Sequence, residues 1–428
     1  MCWANARKTL TLLLMEKLEI MAPAGSFECL AAAIQGGADS VYFGVGNLNM
    51  RSRSAANFAP EDLAEVVRRC HEAGVKAYLT LNITLYPGDM ADMRQALVAA
   101  REAGVDAVIA SDIACIQTCR ELGLEVHIST QLSISNVEAV RFYSQFADVV
   151  VLARELNLNQ VREIVDAIER DRICGPSGEL VRVEMFAHGA LCMAISGKCY
   201  MSLHTFGQSA NRGACLQVCR RGYEVTDLET GNQLNIDHEY IMSPKDLCTI
   251  EFMDKMVAAG VKVFKIEGRA RSAEYVRRCS ECYRAAADAV QAGSFTPELA
   301  ASLKERLAEV FNRGFWDGYY QGARLGEWSS VYGSQASMRK VYLGKVTNWF
   351  DRLGVAEIKV ETRDLHRGET LMAIGATTGE VEFLADDIRL ETEPVELIPQ
   401  GSLCSVKVDG KDIARLHRGD KIFLWKEV

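Results

Sequence analysis

Four cysteines lie close together in the middle of the chain, at Cys192, Cys199, Cys215 and Cys219. Buried thiols normally act as small hydrophobes scattered through a core, so such a cluster predicts metal binding or redox chemistry. With Cys248 as the fourth member, Cys192, Cys199 and Cys215 supply the thiolates that an iron–sulfur cluster requires. Zinc is the competing interpretation, because a tetrahedral thiolate site serves both. Only Cys215 and Cys219 have the tight spacing of a structural zinc pair, which favours a cluster.

Cations, amides and a carboxylate recur where predicted strands end. Lys265, Glu267 and Arg269 occupy alternate positions at the last predicted strand, so they share one face, towards either the lumen or the helices. Their mixture suits an anionic small molecule better than an apolar one. Loop hydrogen bonding and a structural ion-pair ladder are the competing interpretations. The expected substrate-binding residues are Asn82, Gln131, Arg154, Lys265 and Arg269, and the expected catalytic residues are Glu267, Arg154 and His188.

Three of these residues have a more specific expected role. Arg154 and Arg269 are candidates for clamping a carboxylate, because a guanidinium matches it with two parallel hydrogen bonds. Glu267 lies between two cations in the sequence, so we expect it to stay ionised and to orient them or move a proton.

A stretch without acidic residues runs between Glu184 and Glu224, and it mixes cations with aromatic side chains. Such a mixture can hold phosphates and stack on unpaired bases, which predicts contact with RNA. The alternative is that the aromatic residues shield a metal site from water. The formal net charge of −9 argues weakly against a nucleic-acid partner but does not exclude a local patch. The expected RNA-binding residues are Arg212, Arg220, Arg221, Arg271 and Arg278.

These candidates need a scaffold, and the chain between Lys17 and about Gly293 predicts one. Eight short apolar segments alternate with helical patterns, as in parallel strands covered on both faces. We therefore predict an α/β fold, a (β/α)₈ barrel of the TIM type, regular or irregular, with a doubly wound open sheet as the runner-up. Beyond Glu327, short alternating strands with turns predict a small all-β, barrel-like domain. The expected divisions are an N-terminal extension at 1–14, the barrel at 15–327 with a cysteine-rich insertion at about 191–248, and the small domain at 338–428.

The composition indicates the setting of the protein. Apolar runs are too short to cross a membrane. Residues 1–14 carry a Leu-rich run, but it is short, interrupted by Lys8 and followed by no small-residue cleavage site, so a signal peptide is not favoured. We expect a cytoplasmic protein whose fourteen cysteines are thiols or ligands rather than disulfides.

The cysteine-rich segment also resembles a known family, the collagenase-like peptidases of family U32. The family signature joins a Glu-x-Phe pair, a Gly-small-aliphatic-Cys group, a Gly-x-Cys group and an aliphatic-Ser pair. Further similar segments lie from about Met15 onward. The matching positions are Glu184, Phe186, Gly189 to Cys192, Gly197 to Cys199, Met201 and Ser202, together with Ala22 to Ser26, Ser129 to Gln131, Asn211 to Arg220, Ser243 to Cys248 and Lys265 to Arg269.

The resemblance implies more than the family name states. Family members of known activity are iron–sulfur hydroxylation proteins, and those with a barrel and one small β domain act on tRNA. It therefore implies formation of 5-hydroxyuridine at the wobble position of tRNA, with prephenate rather than oxygen as the hydroxyl donor. It also implies a 4Fe–4S cluster on Cys192, Cys199, Cys215 and Cys248, with Cys219 as a possible replacement for one ligand. A collagenase-like peptidase and a non-catalytic scaffold stabilised by metal are the alternatives.

Overall fold

Eight parallel strands form a closed barrel in the computed structural model, which describes residues 17–53, 57–224, 226–232, 242–323, 325–331, 333–408 and 415–428. The first seven pair in chain order, and the last pairs with both the seventh and the first. Closure is visible at Lys265, which lies opposite Met21 on one side and Phe186 on the other. The predicted barrel is confirmed and the open sheet is excluded. The barrel strands are β1 (Glu19–Ala24), β2 (Ser40–Phe43), β3 (Lys76–Leu81), β4 (Ala107–Ala110), β5 (Val126–Ile128), β6 (Val149–Val151), β7 (Arg182–Ala190) and β9 (Val263–Ile266).

Helices follow most of the strands and bury one apolar face against the barrel. Polar caps begin several of them: Ser26 accepts a hydrogen bond from the amide of Cys29, and Asn157 from that of Gln160. Glycines end several of the helices, and Gly104 caps one with φ of 78°. The helices are α1 (Phe27–Gln35), α2 (Leu63–Glu72), α3 (Met90–Ala103), α4 (Ile113–Leu122), α5 (Val137–Tyr143), α6 (Leu158–Arg170), α7 (Met201–Phe206), α8 (Met253–Ala258), α9 (Ala273–Gln291) and α10 (Pro297–Ala308).

The lumen of the barrel is filled at its amino-terminal end and middle. Glu19 is buried there, with its carboxylate 2.8 Å from Arg182 Nη1 and 2.9 Å from the hydroxyl of Tyr78. An apolar layer that includes Met21 and Val263 lies in the lumen as well. Only the carboxyl-terminal end is therefore open to a ligand, which is where barrels of this type carry their sites.

The cysteine-rich insertion leaves the barrel after β7. Strand β8 (Asp246–Cys248) returns antiparallel to the end of β7, and the short β10 (Phe315–Trp316) pairs with β8. Within the insertion, the Gly231 amide donates to the carbonyl of Asp227 in a turn. Residues 233–241 lie outside the described residues, as does the predicted extension at 1–14.

The C-terminal region is all-β, as predicted. Eight strands pair as one antiparallel sheet in the order β15-β14-β20-β11-β12-β19-β16-β17, and β13 pairs with β18. The sheet has an apolar core of its own and contacts α1 and α9 of the barrel. The strands are β11 (Met338–Phe350), β12 (Val355–Val360), β13 (Leu365–His366), β14 (Thr370–Gly375), β15 (Gly379–Leu384), β16 (Ile388–Leu390), β17 (Glu393–Pro394), β18 (Leu397–Ile398), β19 (Leu403–Lys407) and β20 (Lys421–Glu427).

Within the part of the chain that the structure describes, no helix is long and apolar enough to cross a membrane.

Candidate active site at the carboxyl end of the barrel

A cavity of about 340 Å³ opens at the carboxyl ends of the strands, beneath the cysteine-rich insertion. The strand ends supply polar residues to its wall, and the insertion supplies a run of loop residues that includes cysteines. One cavity therefore brings together the two groups of residues that the sequence analysis selected separately. Predicted site residues lining it are Asn82, Gln131, Arg154, Cys192, Cys199, Cys215, Arg220, Lys265, Glu267, Arg269 and Arg271.

A carboxylate with two firm donors lies at the end of β9. Glu267 accepts hydrogen bonds from Arg51, at 2.6 Å from Nη2 and 3.2 Å from Nε, and from the hydroxyl of Tyr42 at 3.1 Å. Burial raises the pKa of Glu267, but the charge and hydrogen bonds of Arg51, with help from Arg269, outweigh it and hold the value at about 2. Glu267 is therefore ionised at neutral pH.

An ammonium group lies deeper in the lumen. Lys265 Nζ is 2.8 Å from Glu184 Oε1, and both side chains are buried. The same Nζ lies 4.6 Å from the ring centre of Tyr42 and 5.7 Å from that of Phe186. The second carboxylate oxygen of Glu184 is buried without a hydrogen-bond partner. The strand alternation thus directs Lys265 and Glu267 into the lumen rather than towards the helices.

Arg269 is fixed by the loop after β2 and by β3. Its Nη1 donates to Asn49 Oδ1 at 3.0 Å and to Thr80 Oγ1 at 2.8 Å, and the residue is 5% exposed. Burial lowers the pKa of Arg269 to about 10, which leaves the guanidinium charged at neutral pH.

An amide group forms the wall on the opposite side. Asn82 Nδ2 lies 3.2 Å from Ser129 Oγ and 3.4 Å from Gln131 Oε1, while Asn82 Oδ1 accepts from the amide of Met50 at 3.2 Å. These bonds fix the orientation of Asn82 and leave the Gln131 amide nitrogen available to a ligand.

Arg154 is a cation of the rim whose hydrogen-bonding capacity is not used by the described residues. Its guanidinium lies 5.4 Å from the ring centre of Phe186, and no described residue accepts a hydrogen bond from it. A guanidinium that is stacked but not hydrogen-bonded can offer its planar edge to a carboxylate. The arrangement suits the clamp predicted for Arg154.

His188 does not belong to this cavity, which corrects the prediction of a catalytic histidine. The register of β7 against β9 shifts between Phe186, which opposes Lys265, and His188, which opposes Ile266. This β-bulge turns His188 away from the lumen and into the helix layer, where its Nδ1 is 3.4 Å from the hydroxyl of Tyr283. Burial, together with the charge of Arg271, lowers the pKa of His188 to about 3.

Four thiols of the insertion form one neighbourhood, but they are not the four that were predicted. Cys192, Cys199, Cys215 and Cys219 all line the cavity. Burial raises the pKa of Cys219, the adjacent Arg220 opposes this, and the other three thiols add to the rise because they lie nearby. Cys219, the alternative ligand of the sequence analysis, therefore lies beside the three predicted ligands that line the cavity.

Cys248, the remaining predicted ligand, does not line this cavity. It opposes His188 in the antiparallel pair of β8 and β7, and the hydroxyl of Tyr283 lies 4.0 Å from its sulfur. Burial in this apolar layer raises the pKa of Cys248 to about 11. Cys248 thus packs against α9, and its role as a cluster ligand stays a prediction.

The backbone of the insertion holds the thiols against the cavity. Gly197, with φ of 74°, packs so closely on Gln131 that a Cβ would lie 2.8 Å from its Cγ, and Gly213, with φ of 81°, is equally tight against Asn49 and Ser52. Among the described residues, no three His, Cys, Asp or Glu side chains are gathered around a single-ion site. The donor set itself, four thiols on one loop, has the chemistry of a thiolate-ligated cluster.

The predicted RNA-binding arginines separate into different environments. Arg212 pairs with Asp89 at 2.6 Å, and Arg220 donates to the carbonyl of Leu191 at 2.6 Å, so both brace the insertion. Arg278 pairs with Glu382 at 2.7 Å under the C-terminal sheet, which corrects its assignment to an RNA-facing surface. Arg221 remains exposed beside Phe206, at 4.8 Å from the ring centre. Arg271 lines the cavity.

Several functional candidates were missed by the sequence analysis. Arg51 and Asn49 come from the loop after β2 and fix Glu267 and Arg269, and Tyr42 lies within the lumen. An arginine shortly after a strand end was the available signal for Arg51. Nothing in the local sequence indicates that it contacts Glu267, which follows β9, two strands away around the barrel.

A closed barrel whose open end carries cations, amides and a thiol-rich loop defines the class of this protein. The family model for peptidase family U32 matches residues 25–330. The chain therefore belongs to peptidase family U32.

Relatives of this chain carry two kinds of name. A protein named collagenase from Porphyromonas gingivalis is 56% identical over 405 residues, which cover 94% of this chain and 98% of the relative. A tRNA hydroxylation protein of Bacillus subtilis is 32% identical over 402 residues, covering 92% of this chain and 89% of the relative. A 23S rRNA 5-hydroxycytidine synthase of Escherichia coli is 33% identical over 318 residues, covering 73% of this chain and 46% of the relative.

Proposed function

We propose that this protein is an RNA-hydroxylating enzyme that uses an iron–sulfur cluster. The observation that carries the proposal is the single cavity in which four thiols of the insertion face the cationic strand ends. Two of the relatives named above are an RNA hydroxylation protein and an RNA hydroxycytidine synthase, which supports the same class of reaction.

The proposed reaction converts the wobble uridine of tRNA to 5-hydroxyuridine, with prephenate as the hydroxyl donor. A dicarboxylate fits a rim in which the guanidinium of Arg154 has no protein acceptor among the described residues. Asn82, Gln131 and Arg269 would orient the donor from the opposite wall. Glu267 is ionised and held by Arg51, so it can position neighbouring cations in the cavity, while its pKa of about 2 makes it a weak proton acceptor.

The proposed cluster is a 4Fe–4S group held by Cys192, Cys199, Cys215 and Cys219. Such a group would supply one-electron chemistry beside the substrate. A thiolate set of this kind serves zinc as well as an iron–sulfur cluster, so iron, sulfide and zinc analysis of the reconstituted protein separates the two.

The name of the 56% identical relative raises peptidase activity as a second candidate. A serine or cysteine peptidase needs a nucleophile within hydrogen-bonding reach of a base. No histidine is found among the described residues that line the cavity, and His188 is enclosed in the helix layer. The site therefore favours hydroxylation.

The direct test is complementation in a bacterial strain that lacks its own tRNA hydroxylation proteins. We expect the wild-type chain to restore 5-hydroxyuridine-derived nucleosides, measured by mass spectrometry of digested tRNA. The Arg154→Lys variant should not restore them while keeping its fold and its iron, because lysine cannot form the two-bond clamp. No modified nucleoside with the wild-type chain, together with cleavage of collagen peptides by the anaerobically purified protein, would replace hydroxylation by peptidase activity.

A further inference from the structure

Positive charge is concentrated on one wall of the cavity, next to the thiols. The guanidinium of Arg271 lies 3.6 Å from the ring centre of Phe311, and that of Arg313 lies 5.0 Å from the same ring. Burial lowers the pKa of Arg271, and Arg313 lowers it further by repulsion, while Tyr275 and Asp246 oppose the shift. Arg220 lines the same cavity and adds a third guanidinium. The buried carboxylate of Asp246 balances part of this charge, and the remaining positive charge suits an anion.

The hydrogen-bond partners of these three cations show which guanidinium can still donate hydrogen bonds to a ligand. Arg220 donates to main-chain carbonyls, including that of Leu191 at 2.6 Å. Arg313 Nη1 pairs with Asp246, a buried carboxylate, at 3.3 Å. No described residue accepts a hydrogen bond from the Arg271 guanidinium, although it lines the cavity. Arg271 therefore has its planar edge available for a ligand.

The backbone of Arg271 is fixed, so the position of its side chain is not accidental. Its amide donates to the carbonyl of Gly268 at 2.8 Å, and its own carbonyl is 3.4 Å from the thiol of Cys29. A guanidinium on a fixed backbone and a stacked ring loses little conformational entropy when it binds an anion.

We propose that Arg271, stacked on Phe311 and supported by Arg313, is a second carboxylate subsite, so that the small-molecule donor is held at one end by Arg154 and at the other by Arg271. The identity of that donor rests on the proposed function. The anion is a carboxylate of a small organic acid rather than an RNA phosphate, because Arg271 lies on the wall of a cavity of about 340 Å³ against two aromatic rings.

The test compares ligands with one and two carboxylates on the full chain, reconstituted without oxygen. Equilibrium binding of prephenate and of phenylpyruvate is measured for wild type, Arg271→Gln and Arg271→Lys. We expect wild type to prefer the dicarboxylate. Arg271→Gln should weaken prephenate binding about 10- to 100-fold, the loss of one charge-assisted hydrogen-bonded contact, and should abolish the preference. Arg271→Lys should fall between the two, since it keeps the charge without the fork.

The matched control is Arg278→Gln, which removes a guanidinium that is paired under the C-terminal sheet. It should leave prephenate binding unchanged. Circular dichroism must first show that Arg271→Gln is folded. If that folded variant binds prephenate as tightly as wild type does, the subsite is overturned. This holds even if the variant still makes 5-hydroxyuridine in the complementation strain. A loss of tRNA affinity with a smaller salt dependence and unchanged prephenate binding would instead assign Arg271 to an RNA phosphate. If wild type makes the nucleoside but binds neither acid, this subsite fails while hydroxylation stands.

Discussion

The carboxylate of Glu267 lies 2.6 Å from Nη2 and 3.2 Å from Nε of Arg51, a residue that follows a strand two places away around the barrel. This contact connects the loop after β2 to the end of β9. It also explains why a partly buried carboxylate keeps a pKa of about 2. The pair is thus both a structural tie and the source of a fixed negative charge among the cations of the cavity.

Removing Arg51 should therefore destabilise the protein in a pH-dependent way. Because the folded pKa of Glu267 is depressed below its ordinary value of 4.5, the pair stabilises above that pH and loses its effect as the pH falls towards 2. We expect Arg51→Met to lower the free energy of unfolding by about 2 kcal/mol at pH 7, since it leaves a buried charge without its partner. The difference in free energy of unfolding between Arg51→Met and wild type should be smaller at pH 3. Urea unfolding at pH 7 and pH 3 measures this difference.

An exposed ion pair provides the control for that experiment. Arg367 and Glu396 pair at 3.0 Å with side chains that are 52% and 81% exposed. Arg367→Met should change stability by less than about 0.5 kcal/mol, as expected for surface pairs. Equal effects of the two substitutions would show that the Arg51 contact is no stronger than a surface pair.

Substitutions at Cys219 and at Cys248 should have opposite effects on the cluster. Cys219→Ser should remove iron and sulfide from protein reconstituted without oxygen, together with the visible absorption of a cluster, because Cys219 lies among the thiols of the cavity. Cys248→Ser should retain both, since Cys248 is packed beside Tyr283. Iron and sulfide analysis of both variants decides between them. Full iron in the first and loss in the second would restore the original assignment.

RNA contact should depend on the exposed cations of the insertion. Lys198 and Arg221 are exposed, whereas Arg212 and Arg220 are engaged by protein partners. We expect Lys198→Ala with Arg221→Ala to weaken tRNA binding and to reduce the slope of log affinity against log salt by about 1.5, from two lost phosphate contacts. Binding titrations at several salt concentrations measure this.

Arg278→Gln is the comparison for the RNA experiment as well. Its guanidinium is bound to Glu382 and Glu309, so tRNA affinity and salt dependence should stay at wild-type values. A normal slope in the double variant would move the RNA surface away from the insertion.

Alternation and strand ends predicted much of this site from sequence. The barrel follows from eight apolar segments separated by helices, and Lys265 and Glu267 share a face because strand side chains alternate. Alternation predicted the wrong face for His188 because a bulge beside it adds one residue to β7. The bulge depends on how β7 pairs with β9, which lies far along the chain, so the local sequence carried no sign of it.

Long-range partners explain the other differences. Cys248 is close to the cysteine cluster in sequence, yet its strand runs antiparallel to β7 and packs it under Tyr283. Arg278 reads as part of a basic helix face, but its acidic partner Glu382 comes from a sheet about a hundred residues later. Sequence patterns describe one element at a time, and these contacts are made between elements.

The contact between the barrel and the C-terminal sheet should weaken as the pH rises. Glu380 of β15 is 3% exposed; its Oε2 is 3.1 Å from Arg277 Nη1, and its Oε1 has no hydrogen-bond partner. Burial raises the pKa of Glu380 to about 7, Arg277 opposes this, and Glu382 adds to the rise. The folded state therefore binds a proton more tightly than the unfolded state does.

The direction of the pH dependence of stability follows from this difference in proton affinity between the folded and unfolded states. Between the ordinary value of 4.5 and about 7, the folded protein keeps the proton while the unfolded chain loses it, so stability falls as the pH rises through this window. The full effect amounts to about 3 kcal/mol for a shift of this size. Glu380→Gln removes the titration, and we expect it to flatten the decline and to be more stable than wild type at pH 8 but not at pH 5. Urea unfolding across this range tests it, with Glu396→Gln as an exposed control. A wild-type stability that rises from pH 5 to pH 8, and a Glu380→Gln variant that follows it, would mean that Glu380 is ionised and held by Arg277 throughout.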